Sequence, residues 1–286
     1  MAEFKDSCRS GCARQDEVGH SPTYQSRHVE EWQLATECVG RRVLVFDEVD
    51  STNSVAGSLN AADGTVVLAR NQTAGRGRFG RVWRSRPGAA LLISVLLRPP
   101  AELRRPSVLT AWAAVGVGEA IAALTGRTAR IKWPNDLLID DKKVCGILIE
   151  QGAATVVGIG LNLNQSTEEF AAAGLPLASS LAAFSGNSFA LRPAAEAVLA
   201  HLDAAYTQLI SGNRPAVEAK WQARTGLVDQ CVEVELSDGQ RIVGRIRALN
   251  FAGIELEDTH GRLESIVPER IEQIRLSTAY CADRRQ

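Results

Sequence analysis

The apolar residues of this chain change their period once, near residue 226, and that change divides it into two units built on different plans. Before it, strand-like runs at 43–49, 65–70, 89–97, 129–132, 136–139, 143–151 and 155–162 are interleaved with helical patterns at 107–124, 193–210 and 215–224. Ser51 stands where a helix over 55–59 needs its N-cap, and Pro106 and Gly126 frame the 107–124 helix. After it, short alternating runs at 231–236, 241–249, 253–256, 263–267 and 271–274 are separated by tight turn residues such as Asp238-Gly239 and His260-Gly261. Such a pattern predicts a small β-barrel of SH3 type. A chain of 286 residues, 45% of them hydrophobic, is long enough for one sizeable core and a small second domain. The expected division is a poorly ordered leader over 1–40 with one short helix near 29–38, a main domain over 41–226, the barrel over 227–276 and a tail over 277–286.

Charge and cysteine usage remove several classes of function. The formal net charge is −1, so no overall basic field holds the chain on nucleic acid or an anionic membrane. No apolar stretch is read as approaching the roughly 20 residues of a membrane helix, and the first residues lack a signal-peptide core, which points to the cytoplasm. The six cysteines show no repeated spacing, so no disulfide framework is expected. Cys8 and Cys12 with His20 and His28 fit no common zinc spacing. Cys145 lies inside an apolar run and reads as an inert buried thiol. The four histidines fall outside the polar motifs, which leaves lysine, arginine, asparagine and aspartate to do any chemistry there.

Those motifs sit beside the strand-like runs. Between Gln72 and Trp83 the chain reads Gln-Thr-Ala-Gly-Arg-Gly-Arg-Phe-Gly-Arg-Val-Trp. Glycine permits close backbone approach, and guanidinium groups present forked donors to phosphate or carboxylate oxygens. Alone, this loop also reads as a solvated turn. It is accompanied by Asp50-Ser51-Thr52-Asn53, by Lys132-Trp133-Pro134-Asn135-Asp136, by Lys142-Lys143-Val144-Cys145-Gly146-Ile147-Leu148, and by the glycine-bearing run that ends at Asn162. A set rich in lysine and arginine and devoid of histidine suits charge stabilisation at phosphates better than proton shuttling. Ser51 also reads as a helix cap, Gln72 and Asn162 as turn residues and Trp133 as packing; Pro134 marks a bend at a strand end.

In order and spacing, Ser-Thr-Asn, Gly-Arg-Gly-Arg-x-Gly-Arg-x-Trp, Lys-Trp-Pro-Asn-Asp and Lys-x-x-Gly-Ile-Leu resemble the bacterial biotin-protein ligases, across Asp50 to Asn164 and again in the barrel. The resemblance implies an α+β fold: a mixed-sheet catalytic domain of the class II aminoacyl-tRNA synthetase and biotin–lipoate ligase type, followed by an SH3-like domain. It implies that ATP and biotin form biotinyl-5′-AMP, and that biotin then passes to a lysine of a biotin carboxyl carrier domain of an acyl-CoA carboxylase, with Mg2+ as cofactor. By the same resemblance Ser51, Thr52, Asn53, Gln72, Arg76, Gly77, Arg78, Lys143, Gly146 and Gly160 hold biotin. Arg76, Arg78, Arg81, Trp83, Lys132, Asn135, Asp136, Lys143 and Asn162 hold ATP. Arg78, Lys143 and Lys132 are the expected catalytic residues, and no direct metal ligand is assigned. Since no helix-turn-helix pattern precedes the motifs, specific DNA binding is not expected; a homodimer stays open. A lipoate-protein ligase, or a non-catalytic regulator or nucleic-acid-binding protein, is the alternative reading.

Overall fold

The computed structural model describes residues 28–277. Cys8, Cys12, His20 and most of the expected leader and tail lie outside the described residues. Strands β1 (His28–Gln33), β2 (Arg42–Val49), β3 (Val66–Gln72), β4 (Ala90–Leu97), β5 (Arg130–Lys132), β6 (Asp136–Ile139), β7 (Lys142–Gln151) and β8 (Thr155–Asn162) form one sheet. Its order is β1-β2-β3-β4-β8-β7-β6-β5. β2 and β3 run parallel because helix α1 (Thr52–Ser58) crosses between them, whereas β6 and β7 are joined by a tight hairpin at Asp140 and Asp141, both with positive φ.

Side chains alternate across a pleated strand, so each strand sends one set to each face. Leu91, Ile93, Val95 and Leu97 of β4, with Val157, Ile159 and Leu161 of β8, join the main core. On that face pack helices α2 (Pro106–Thr125) and α5 (Leu191–Ile210), tied by a hydrogen bond from Trp112 Nε1 to the Leu202 carbonyl at 3.0 Å. α2 is long and apolar enough to cross a membrane by length and composition, contrary to the expectation from the sequence, but most of it is buried in this core. The opposite face carries α1 over a smaller cluster around Leu44, Phe46, Val55 and Leu96. Beyond α1, that face is open.

Helices α3 (Thr167–Ala172) and α4 (Leu181–Ser185) follow β8, and α6 (Arg214–Thr225) leads through Gly226 to the second sheet. That sheet comprises β9 (Cys231–Leu236), β10 (Arg241–Asn250), β11 (Gly253–Glu257), β12 (Leu263–Ile266) and β13 (Ile271–Leu276), in the order β12-β11-β10-β9-β13. An aromatic ladder seats it on the first domain: Trp133 to Trp221 at 5.9 Å and Trp221 to Phe251 at 5.5 Å between centroids. The expectation that Trp133 serves packing agrees with this seat. Glu218 and Gln222 of α6 bind the Phe251 amide and the Leu249 carbonyl, and Arg105 pairs with Glu269 at 3.0 Å.

One expected element is wrong. The helix near 29–38 is instead the strand β1, which pairs antiparallel with β2 and buries Trp32 at the edge of the core. The turn that follows is fixed from far along the chain. Buried Asp203 of α5 accepts hydrogen bonds from the amides of Glu37, Cys38 and Val39 at 2.8, 2.7 and 2.7 Å. Cys231 is disulfide-bonded, a cross-link that the cysteine spacing does not announce.

Asp203→Ala should leave three amides without their acceptor and lower stability by about 2–4 kcal/mol. Urea unfolding that showed no shift in midpoint would remove Asp203 as the anchor of this turn.

Candidate active site

The open face of the sheet becomes a site because three of its positions, Gly146, Gly158 and Gly160, carry no side chain. Leu92, Gly160, Gly146 and Asp136 lie side by side across β4, β8, β7 and β6; one step along, Ser94 stands opposite Gly158. A Cβ on Gly158 would lie 2.2 Å from Asn53 Oδ1, and one on Gly160 would lie 2.6 Å from the Trp83 indole. Both glycines therefore make room, one for a polar side chain and one for an aromatic ring.

Above this floor α1 supplies a hydrogen-bonded network. Gln72 Oε1 accepts from the Thr52 amide at 2.7 Å and from its hydroxyl at 3.0 Å. The buried Ser94 hydroxyl donates to Asn53 Oδ1 at 2.6 Å and lies 2.7 Å from Thr52 Oγ1. Asn53 Nδ2 donates to Glu150 at 2.8 Å, and Glu150 receives a forked pair of bonds from Arg76 at 3.1 and 2.9 Å. Burial pushes the Glu150 carboxyl up, but the bonds from Arg76 and Asn53 outweigh it and hold the group below its ordinary value. Arg76 donates also to Ser54, so its guanidinium is engaged by protein groups. Ser51 starts α1 without capping it through its side chain, which leaves that hydroxyl on the cleft wall.

The arginine–glycine segment is a short hairpin. Trp83 N bonds to Gly75 O at 2.9 Å, Gly77 N to Arg81 O at 2.7 Å, and Arg81 N to Arg78 O at 3.2 Å. Phe79 and Gly80 both take positive φ at its tip, which is a type I′ turn. Glycine adopts this conformation at little cost; Phe79, 63% exposed, holds it under strain. The hairpin lays Trp83 over Gly146 and Gly160, with Lys143 Nζ 5.9 Å from the ring centroid.

Cations converge beside that ring. Lys143 pairs with Asp136 at 2.7 Å, and Arg78 donates to Asn135 Oδ1 at 3.4 Å. Burial lowers the Arg78 pKa from its ordinary value, while the charges of Asp136 and Glu272 oppose that shift. Lys132 and Arg81 are exposed at the rim. The segment after β8 closes the other side: Lys143 N bonds to Leu177 O, Ser179 N bonds to Lys143 O, and Asn162 Nδ2 pins the Ser179 carbonyl at 2.9 Å. Cys145 is buried behind the floor, where desolvation pushes its thiol up and keeps it inert.

Every residue that the motifs single out for biotin or ATP lines this one cleft, of about 380 Å³. Ser94, Glu150 and Gly158 beneath it, Phe170, Leu175 and Ala178 along its side, and Glu272 and Gln273, which reach it from β13, are not among the residues that the motifs single out. Ser94 had a signal, as the one hydroxyl in an otherwise apolar run. The β13 residues had none, because only the docking of the barrel brings them here.

A mixed sheet with a cation-lined cleft on its open face, backed by a small β domain, places the chain in a known class. Residues 45–164 match the model of the Biotin/lipoate A/B protein ligase family. The chain is 32% identical over 248 residues to the bifunctional ligase/repressor BirA of Bacillus spizizenii, covering 84% of this chain and 76% of that protein. It is 32% identical over 258 residues to the biotin–[acetyl-CoA-carboxylase] ligase of Mycobacterium tuberculosis, covering 84% and 92%. Among solved structures, a biotin protein ligase from Aquifex aeolicus in complex with biotin and ATP superposes with a TM-score of 0.70 at 27% identity, over 82% of this chain and 99% of that one. The chain belongs to the biotin protein ligase family.

Gly158→Ala should displace Asn53 and cost about 2 kcal/mol or more through clash and an unmade buried bond. Gly57→Ala, on the exposed side of α1, should be neutral or stabilising; equal effects of the two would refute the close fit. Because the Glu150 pKa is lowered on folding, its contribution to stability is present above the ordinary value of 4.5 and is lost as pH falls through the folded value. Glu150→Gln should therefore flatten the acid limb of stability against pH, and an unchanged limb would show that the network draws nothing from that charge.

Proposed function

We propose that this protein activates biotin with ATP and then transfers it to a lysine on the biotin carboxyl carrier domain of an acyl-CoA carboxylase. The observation that carries this reading is the convergence of Arg78 and Lys143 in one cleft, both within reach of the Asp136 charge. Activation requires a carboxylate to approach the α-phosphate. At about 4 Å two such charges repel by about 4 kcal/mol at an effective dielectric of about 20. Two fixed cations offset that repulsion and stabilise charge on the phosphorus as it is attacked. The carboxylate oxygen then bonds to the α-phosphorus, the bond to the β-phosphate breaks, and pyrophosphate leaves with the electron pair. Arg81 and Lys132 at the rim suit the outgoing group.

The polar network fits the other end of the ligand. A cyclic urea presents one carbonyl and two N–H groups, which the hydroxyl and amide groups of Ser51, Thr52, Asn53 and Gln72 can match, while Trp83 and the glycine floor enclose the apolar ring. The dithiolane of a lipoyl group offers no N–H or carbonyl to that polar corner, which argues against a lipoate ligase. Asn162 pins the segment beside the nucleotide position and so acts on ATP through that segment.

For Mg2+, the described residues contain no cluster of three or more acidic, histidine or cysteine side chains. That donor set fits an ion carried mainly by phosphate oxygens and water, beside the two carboxylates of the cleft, Asp136 and Glu272. Bound there, it would neutralise phosphate charge. A cytoplasmic enzyme with no specific DNA binding is part of the same proposal and is consistent with the formal net charge of −1.

Incubation with ATP, Mg2+, biotin and a purified carrier domain should add the mass of one biotinyl group to one lysine of the acceptor. Lys143→Ala should slow pyrophosphate release by about two orders of magnitude or more, and Arg78→Ala should release biotinyl-AMP to solution. No transfer to a verified acceptor would reject the reading; normal pyrophosphate release by Lys143→Ala, or normal retention of biotinyl-AMP by Arg78→Ala, would reject the role given to that residue.

A further inference from the structure

The cleft is lined by six cationic side chains: Arg76, Arg78, Arg81, Arg84, Lys132 and Lys143. Its lining holds two carboxylates, Asp136 and Glu272. Asp136 is taken by Lys143 at 2.7 Å. Glu272 makes no ion pair among the described residues, and it comes from the other domain. A carboxylate in a cleft that gathers anions works against ligand binding unless it meets a cation.

Its position is fixed, because β13 is held by the docking of the barrel. Glu269, just ahead of that strand, binds Arg105 at 3.0 Å and accepts from the Ser107 hydroxyl at 3.2 Å. The Trp133–Trp221–Phe251 ladder closes the same seam. Glu272 acts on Arg78 through space, so it lies near the place where carboxylate and α-phosphate are joined.

On the proposed ligase reading, one organic cation must enter this cleft, and it enters only after adenylation: the ammonium of the acceptor lysine. We propose that Glu272 of the barrel receives that ammonium and positions it against the biotinyl anhydride, so that the second domain contributes a residue to the transfer half of the reaction alone. The lysine gives up one proton before attack, by way of Glu272 to water. Its nitrogen then bonds to the biotinyl carbonyl carbon, the carbon–oxygen bond to phosphate breaks, and AMP leaves with that electron pair while the amide nitrogen loses its second proton to solvent. Atoms and charge balance without a further reagent.

The test separates the two halves of the reaction in the full-length protein. In Glu272→Gln, biotin-dependent release of pyrophosphate should match the parent, which also shows that the variant is folded. Single-turnover transfer from the preformed enzyme–adenylate to a purified carrier domain should slow tenfold or more, and its rise with pH should move to higher pH. Glu272→Asp should recover part of the rate. Hydroxylamine, a nucleophile that is uncharged at neutral pH, should capture the biotinyl group equally fast from parent and variant. Normal transfer to lysine by Glu272→Gln would overturn the inference. So would slowed pyrophosphate release or a raised Mg2+ requirement, since Glu272 would then serve Arg78 or the phosphate-bound ion; so would equal slowing with hydroxylamine. A parent protein that releases no pyrophosphate would instead refute the ligase reading.

Discussion

Three glycines on one face of two adjacent strands govern this molecule. β7 and β8 must be fully apolar toward α2 and α5, and the pleat then dictates what stands on the other side at every second residue. At Gly146, Gly158 and Gly160 nothing does, so Asn53 and Trp83 can press onto the sheet itself. A methyl group at either of the last two would collide with its occupant, and the cleft would lose its polar corner or its aromatic wall. The hydrophobic core and the binding surface are thus opposite faces of the same strands.

Charge is arranged on that surface according to what each cation already holds. Arg76 is bound in a fork by Glu150 and serves to hold α1 against β7, while Arg78 and Lys143 meet weaker or exchangeable partners in Asn135 and Asp136. Incoming phosphate can compete for the second pair far more readily than for the first. The hairpin that delivers Arg78 and Trp83 is closed at its base and strained at its tip, where Phe79 occupies a conformation suited to glycine or asparagine. Strain at that point makes opening of the hairpin less costly.

Most strands were legible because their apolar residues carry a plain period of two, and the barrel was legible because its turns are rich in glycine and aspartate. β1 was not: only Val29 and Trp32 of its six residues are apolar, and the turn that joins it to β2 is fixed by a carboxylate at Asp203 more than 160 residues away. The motif residues were legible as one site through their resemblance to a family, but their local duties were not. Sequence shows that Arg76 is a cation; it does not show that Glu150 takes it. The segment from Gln165 to Ser180 and the β13 residues were illegible for a different reason, since they line the cleft through packing that no local pattern encodes.

The proposed chemistry rests on one placement: an acid and an α-phosphate brought together between Arg78 and Lys143. The most direct measurement is a crystal structure of the protein with biotin and a non-hydrolysable ATP analogue. The biotin carboxylate and the α-phosphate should lie within hydrogen-bonding distance of those two side chains, with the fused ring against Trp83 and the Ser51–Asn53 corner. Well-defined ligand density elsewhere on the molecule, or a nucleotide whose α-phosphate is out of reach of both cations, would contradict it.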